Sequence, residues 1–277
     1  MPSRLTRTAL PGPRVLLYAL GGGLGHATRA LALGRQLARA GARPHLVVSS
    51  ALAAALPLDA ELLAAGGGEV TRLDPQAGAD ALREAVRALV VEGGWDALVV
   101  DTFPRGLLGE LPPLLAASRA PAVWVQRDLS PRYVAWADLR AAARGFALVL
   151  RPGEGVPGAR GARTVTTAPW LVRDAHELLA PAAARAALAP EVPADRRLVV
   201  VVGSGSPEEA REVQGLAARL AERLPGAAVR CLAPSLSDGA LSDGALGHGA
   251  LVGDGALVGH GALGDGALGD GALGDGA

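Results

Sequence analysis

The chain contains no lysine, so all 27 of its basic residues are arginine. A Walker A phosphate loop, a pyridoxal Schiff base and a catalytic lysine all need an amine, and those chemistries are excluded. Asparagine and isoleucine are missing too, a bias toward Arg, Ala, Gly and Pro that carries no functional message. Cysteine occurs once, at Cys231. That rules out an internal disulfide and a thiolate metal cluster, and it fits a reducing, cytoplasmic setting. No charge of one sign dominates, since 27 basic residues face 27 acidic ones. Nucleic-acid binders carry a basic excess, so no nucleic-acid partner is expected. Long apolar runs are also absent, and none approaches the ~20 residues that span a bilayer. Arg4, Arg7 and Arg14 precede the short run Val15 to Leu20. That run enters a glycine loop rather than a small-residue cleavage site, so it reads as a strand and not as a signal peptide. The expectation is a soluble protein, with work at the inner face of a membrane left open.

Half of the residues are hydrophobic in a chain of 277, enough to fill one large core or two modest ones. Short apolar runs alternate with longer helical ones, the mark of parallel β-α units. The pattern predicts strands at Val15 to Leu20, His45 to Ser49, Glu69 to Leu73, Ala97 to Asp101, Ala122 to Gln126 and Ala147 to Leu150. Helices are predicted over His26 to Ala40, over Asp80 to Val91 and, behind Asp59, through Ala65. The stretch from Arg151 to Asp195 is rich in Pro and Gly and holds one helical segment, Ala182 to Leu188. Arg197 to Val202, Pro207 to Leu224 and Ala228 to Leu232 then form one more strand-helix-strand unit. Expected boundaries are a first Rossmann-like α/β domain over 12–170, a linker over 171–195 and the opening of a second α/β domain over 196–235. From Leu236 to Ala277 the chain repeats Leu-Ser-Asp-Gly-Ala and close variants in units of mixed length. No stacked core can form from units out of register, so a disordered low-complexity tail is expected.

The sharpest local signal is Gly21-Gly22-Gly23-Leu24-Gly25-His26, where a strand runs through glycines directly into a helix. Glycines let backbone approach a ligand, and a helix N-terminus offers unpaired N–H groups. A dinucleotide loop fits badly. Counted from Gly21 or Gly23, the third glycine of G-x-G-x-x-G is His26 or Thr28, and Ser49 and Ser50 stand where an NAD enzyme places an acid. In a sheet ordered 3-2-1-4-5 the first and fourth strands meet at the topological switch point, and ligands bind beyond their carboxyl ends. His26 follows the first strand and Asp101 ends the fourth, so the two should converge within hydrogen-bond reach. An Asp that orients a His makes it a competent base. The plainer reading, in which each merely caps a turn, stays open. Arg29, one turn beyond His26, could reach a phosphate or stand as a solvated helix charge. Arg127 could touch substrate or pair with Asp128. The four tryptophans read as packing.

In the second unit, Gly203-Ser204-Gly205-Ser206 joins a strand to a helix and could offer N–H groups to a diphosphate. Ser206 could equally be an ordinary N-cap. No D-x-D carboxylate pair occurs, and neither a metal nor a cofactor is expected.

Gly23-Leu24-Gly25-His26 with Arg29 and Ala30 to Leu33, the segment Asp101 to Gly106 with Glu110-Leu111, and Arg127-Asp128-Leu129 together resemble GT-B glycosyltransferases. The nearest types are the bacterial enzymes that add N-acetylglucosamine to the lipid-linked peptidoglycan precursor, and relatives with a G-x-G-H-x-x-R loop. The resemblance covers Val15 to Ser130 well, and Leu198 to Ala233 only as a domain opening. It implies two Rossmann-like domains facing a cleft, with the acceptor on the first and the nucleotide-diphosphate sugar mostly on the second. His26 and Asp101 would then be catalytic, and Gly23, Gly25, Arg29 and Arg127 would bind an acceptor hydroxyl compound, lipid-linked in the peptidoglycan type. Gly203, Ser204, Gly205 and Ser206 would bind the donor. The implied reaction is inverting glycosyl transfer. A nucleotide-sugar hydrolase and a truncated chain that binds ligand without turnover are the rival expectations, because the second domain stops short and its binding of nucleotide sugar should be weak.

Overall fold

The computed structural model describes residues 12–21, 23–50, 53–54, 56–153, 163–203 and 207–232. The segment 236–277 and the residues Ser204, Gly205 and Ser206 lie outside the described residues.

The first six strands are β1 (Arg14–Ala19), β2 (Arg43–Val48), β3 (Glu69–Arg72), β4 (Ala97–Asp101), β5 (Ala122–Val125) and β6 (Leu148–Pro152). Together with β7 (Thr164–Thr167) they form one parallel sheet in the order β3-β2-β1-β4-β5-β6-β7. Leu16 pairs with Leu98 and Tyr18 with Val100 across the switch point between β1 and β4. The chain therefore has the expected doubly wound α/β fold, with β2 and β3 beyond β1 on one flank and β5, β6 and β7 beyond β4 on the other. Period-two alternation divides the core. Leu16, Tyr18 and Leu20 join Leu98, Val100, Trp124 and Val149 on one face. Val15, Leu17 and Ala19 join Leu46, Val48, Val99 and Val125 on the other. Burial on both faces is why these strands read as continuous apolar runs.

Helix α1 (Leu24–Arg39) lays Ala27, Ala30, Leu31, Gly34, Arg35 and Ala38 against the second face at helical spacing. Helix α2 (Leu58–Ala65) adds Leu58 and Leu62 there. The opposite face is covered by α3 (Ala79–Arg87), by α4 (Leu111–Ala117) and by the end of α6 (Leu139–Ala143), which follows α5 (Pro131–Ala137).

The single helix expected through Val91 becomes α-helix to Arg87 and then one π-turn over Ala88–Glu92. The wider turn is held from outside, since the Trp95 indole donates to the Leu89 carbonyl at 2.6 Å. Strand β7 is a strand that hydrophobic patterning misses. Its sequence Thr164-Val165-Thr166-Thr167 is short and polar because it lies at a sheet edge and is mostly exposed. Beyond it the chain returns to α1, where Trp170 and Val172 pack on the second face.

The strand-helix-strand unit appears as β8 (Arg197–Val202), α8 (Pro207–Arg223) and β9 (Ala227–Leu232), after α7 (Pro181–Leu188). β8 and β9 form a separate two-stranded parallel sheet.

Candidate functional site

His26 stands in the first turn of α1, just beyond the exit of β1. The helix begins at Gly23, in extended conformation, with no side-chain cap and no acid in its first turn. Its leading N–H groups thus have no capping side chain among the described residues. Gly21 has φ +153, and a Cβ placed on it would lie 2.4 Å from Cδ2 and 2.6 Å from Nε2 of His26. Only glycine lets the imidazole lie down on the loop at this position. Gly21, rather than Gly23 or Gly25, is the glycine that shapes the site. A Cβ on Gly23 would meet nothing within 4 Å, and one on Gly25 would meet only Nη1 of Arg29 at 3.2 Å.

Asp101 ends β4 and is 4% exposed. Its Oδ2 lies 2.6 Å from Nδ1 of His26 and accepts from Nη2 of Arg29 at 2.9 Å and from Oγ1 of Thr102 at 3.0 Å. Its Oδ1 accepts from Nε of Arg29 at 2.9 Å. Burial alone would push this carboxyl up, but the bonds from His26 and Arg29 and the Arg29 charge outweigh it and hold the carboxyl below its ordinary value. An ionised Asp101 offers only acceptors. The proton of a neutral His26 therefore belongs on Nδ1, and the lone pair belongs on Nε2. Nε2 has no hydrogen-bond partner among the described residues, and the side chain keeps 16% of its surface open.

Thr102 explains how Asp101 is aimed. It has φ +63, and across it the Phe103 N–H donates to the Asp101 carbonyl at 2.7 Å, a γ-turn. Such a turn is strained for a β-branched residue, and strain of this kind gathers at functional sites. The turn is pinned from both sides: Thr102 N–H donates to the Val125 carbonyl at 2.9 Å, and its carbonyl accepts from the buried Trp124 indole at 3.0 Å.

The loop that follows is tied down by two tyrosines. The Tyr18 hydroxyl donates to the buried Glu110 carboxylate, whose second oxygen accepts from Leu108 N–H at 2.8 Å. Burial, and next the Glu110 charge, raise the Tyr18 hydroxyl well above its ordinary range. The Tyr133 hydroxyl accepts from Arg105 N–H at 3.2 Å and donates to the Gly106 carbonyl at 3.1 Å, and burial pushes it up to about 12. Rings continue outward from the histidine. His26 to Phe103 is 5.2 Å between centroids, Phe103 to Tyr133 is 5.0 Å and Tyr133 to Trp136 is 5.3 Å. Arg105 lies over Trp136 at 4.7 Å. Trp136 is thus an exposed ring at the end of a row that starts at His26, while Trp124 is core.

Arg29 joins the site directly. Arg127 sits at the carboxyl end of β5 and donates to the Pro152 carbonyl at 2.7 Å, bridging β5 to β6. Gly203 lies on the other sheet, where its N–H donates to the Leu232 carbonyl at 2.8 Å and Val213 packs against it.

Among the described residues, one other group draws His, Asp and Glu close together, at Asp174, His176 and Glu177. Both carboxylates there are already engaged by arginines: Asp174 by Arg39, and Glu177 by Arg35, Arg39 and Arg173. No described helix is long and apolar enough to cross a membrane.

No family model matches the sequence, and no curated protein matches it. Among solved structures the chain is similar to UGT2 of Phytolacca americana, determined with UDP-2-fluoro-glucose and pterostilbene. Identity is 12%, with 82% of this chain and 72% of that chain covered, at a TM-score of 0.48. A likeness this loose transfers no residue role from one protein to the other.

Proposed function

We propose that the chain is an inverting glycosyltransferase that moves a sugar from a nucleotide-diphosphate sugar to an acceptor hydroxyl. The observation that carries this reading is the His26–Asp101 pair, 2.6 Å apart at the switch point of the sheet and seated on a glycine loop. His26 Nε2 takes the proton of the acceptor hydroxyl. The oxygen attacks the anomeric carbon from the face opposite the leaving group, and the bond to the nucleotide phosphate oxygen breaks. The nucleoside diphosphate departs with the electron pair, and configuration inverts. Asp101 holds the ring in the tautomer that exposes Nε2 and balances the imidazolium that forms. Gly23, Gly25 and Arg127 border the acceptor side in this reading, and Gly203, Ser204, Gly205 and Ser206 are the residues assigned to the donor.

The test is release of nucleoside diphosphate from a panel of uridine and guanosine diphosphate sugars, with and without hydroxyl acceptors. His26→Ala should lower turnover by roughly 10²–10⁴-fold, the usual cost of losing a general base. Asp101→Asn should cost less, since an amide still orients the ring. A His26→Ala variant at near-normal rate refutes the reading. Free sugar in place of glycosylated acceptor would assign the same base to water and make the chain a hydrolase.

A further inference from the structure

We propose that Arg29 is a positioning residue, which sets the basicity of His26 by sharing the Asp101 carboxylate with it. The inference rests on the reading of His26 as the base, but it is tested without turnover. Arg29 lies three residues after His26 on α1, so both side chains leave the same helix face. Its guanidinium meets Asp101 as a fork, Nε on Oδ1 and Nη2 on Oδ2, both at 2.9 Å. Nη2 also donates to Thr102 Oγ1 at 3.0 Å. Two of the three guanidinium nitrogens are therefore spent inside the protein. A phosphate-binding arginine would aim its fork outward; this one aims it at the carboxylate that orients the base.

The consequence follows from one crowded oxygen. Oδ2 of Asp101 receives Nδ1 of His26, Nη2 of Arg29 and the Thr102 hydroxyl, and Nη2 stands 3.4 Å from Nδ1. An aspartate facing a histidine alone favours the imidazolium, which has no lone pair to give. With Arg29 in place, a second proton on His26 sets two cations almost in contact around a single anion. Arg29 thus opposes that proton and keeps Nε2 able to accept one from an acceptor. The groups that face His26 among the described residues are Asp101 from β4, Arg29 from its own helix, and the uncharged Phe103 from the following loop. Gly21 contributes backbone alone.

The experiment is an NMR titration of the His26 imidazole in the full chain, its resonance assigned by its loss in His26→Gln. In Arg29→Gln the guanidinium charge goes and an amide remains. The titration midpoint should rise by about one pH unit or more, the usual effect of a nearby charge. Arg29→Lys restores a charge without the fork, and its midpoint should fall between those of wild type and Arg29→Gln. A midpoint in Arg29→Gln that is unchanged or lower overturns the proposal, as does Arg29→Lys titrating at or above Arg29→Gln. Should Arg29→Gln fail to fold, Arg29→Lys decides alone: a small rise supports the proposal and no rise or a fall overturns it. A chain with no transferase activity would refute the proposed function and leave this titration to stand or fall by itself.

Discussion

Replacing Gly21 by alanine is a one-carbon change that reaches the His26 ring directly. The added Cβ would lie 2.4 Å from Cδ2 of His26, whereas carbon atoms rest at ~3.5–4.0 Å. The ring must therefore shift by about 1 Å or more, unless the loop moves instead. The ring is tied to Asp101 at 2.6 Å, and a shift of that size away from the carboxylate passes the limit of a hydrogen bond. A charge-assisted hydrogen bond contributes ~1.5–3 kcal/mol, and each 1.4 kcal/mol is tenfold in rate. A misplacement of ~1 Å alone can cost ~10²-fold. On the role proposed for His26, turnover should fall by about 10²-fold. The φ of +153 at Gly21 adds a backbone cost of ~1–3 kcal/mol for any side chain, so the melting temperature should drop by several degrees. Nucleoside diphosphate release at saturating donor reads the first effect, and thermal unfolding reads the second. Gly78→Ala is the control, since a Cβ there meets nothing within 4 Å. Wild-type turnover in Gly21→Ala, with the His26–Asp101 bond intact by NMR, would refute the idea that the ring needs the bare loop.

Glu110→Ala removes the acceptor of the buried Tyr18 hydroxyl and of Leu108 N–H. It should cost ~1–3 kcal/mol in a denaturant titration and speed hydrogen exchange over 102–110; unchanged stability would show the buried carboxylate to be idle. Glu177 is held down to about 2 by the Asp174 N–H first, against some burial, and then by Arg39 and Arg35. Its folded value lies below its unfolded one. The stability it adds is whole above its ordinary value of 4.5 and is lost as pH falls toward 2. Exchange protection over 170–177, corrected for intrinsic rate, should therefore weaken between pH ~5 and ~3, and Glu177→Gln should flatten that dependence. Equal protection at both ends of the range would refute it.

Strands β1, β2, β4 and β5 were legible because they are mostly buried, on both faces of the sheet, and therefore written in apolar residues. β7 was not, since an exposed edge strand of threonines carries no apolar signal. The short helices α4 to α6 also escaped, having two turns or fewer in which a period could show. The meeting of His26 with Asp101 could be read in advance, because strand order at the switch point decides it. What Arg29 does could not. Its helical spacing put it beside His26, but only the depth of Asp101 decides whether a guanidinium turns inward or out to solvent. The Thr102 turn and the Tyr18–Glu110 bond are products of tertiary contact. A faint trace of the latter exists: Glu110 is a lone acid between apolar Leu107-Leu108 and Leu111, where a solvated charge is out of place.

Helix α1 is fastened near both ends. His26 and Arg29 hold its start to β4, and toward its far end the buried Arg35 pairs with Glu61 and Glu177 while Arg39 pairs with Asp174 and Glu177. At 1.5 Å per residue the fastenings stand about 9–20 Å apart. A rod clamped at two points can neither slide along its axis nor spin about it. Any movement of α1 must therefore carry the sheet and the returning 170–177 segment with it. The Arg35 clamp is thus a distant guarantor of aim, and loosening it would let the histidine wander without touching a single atom of the site.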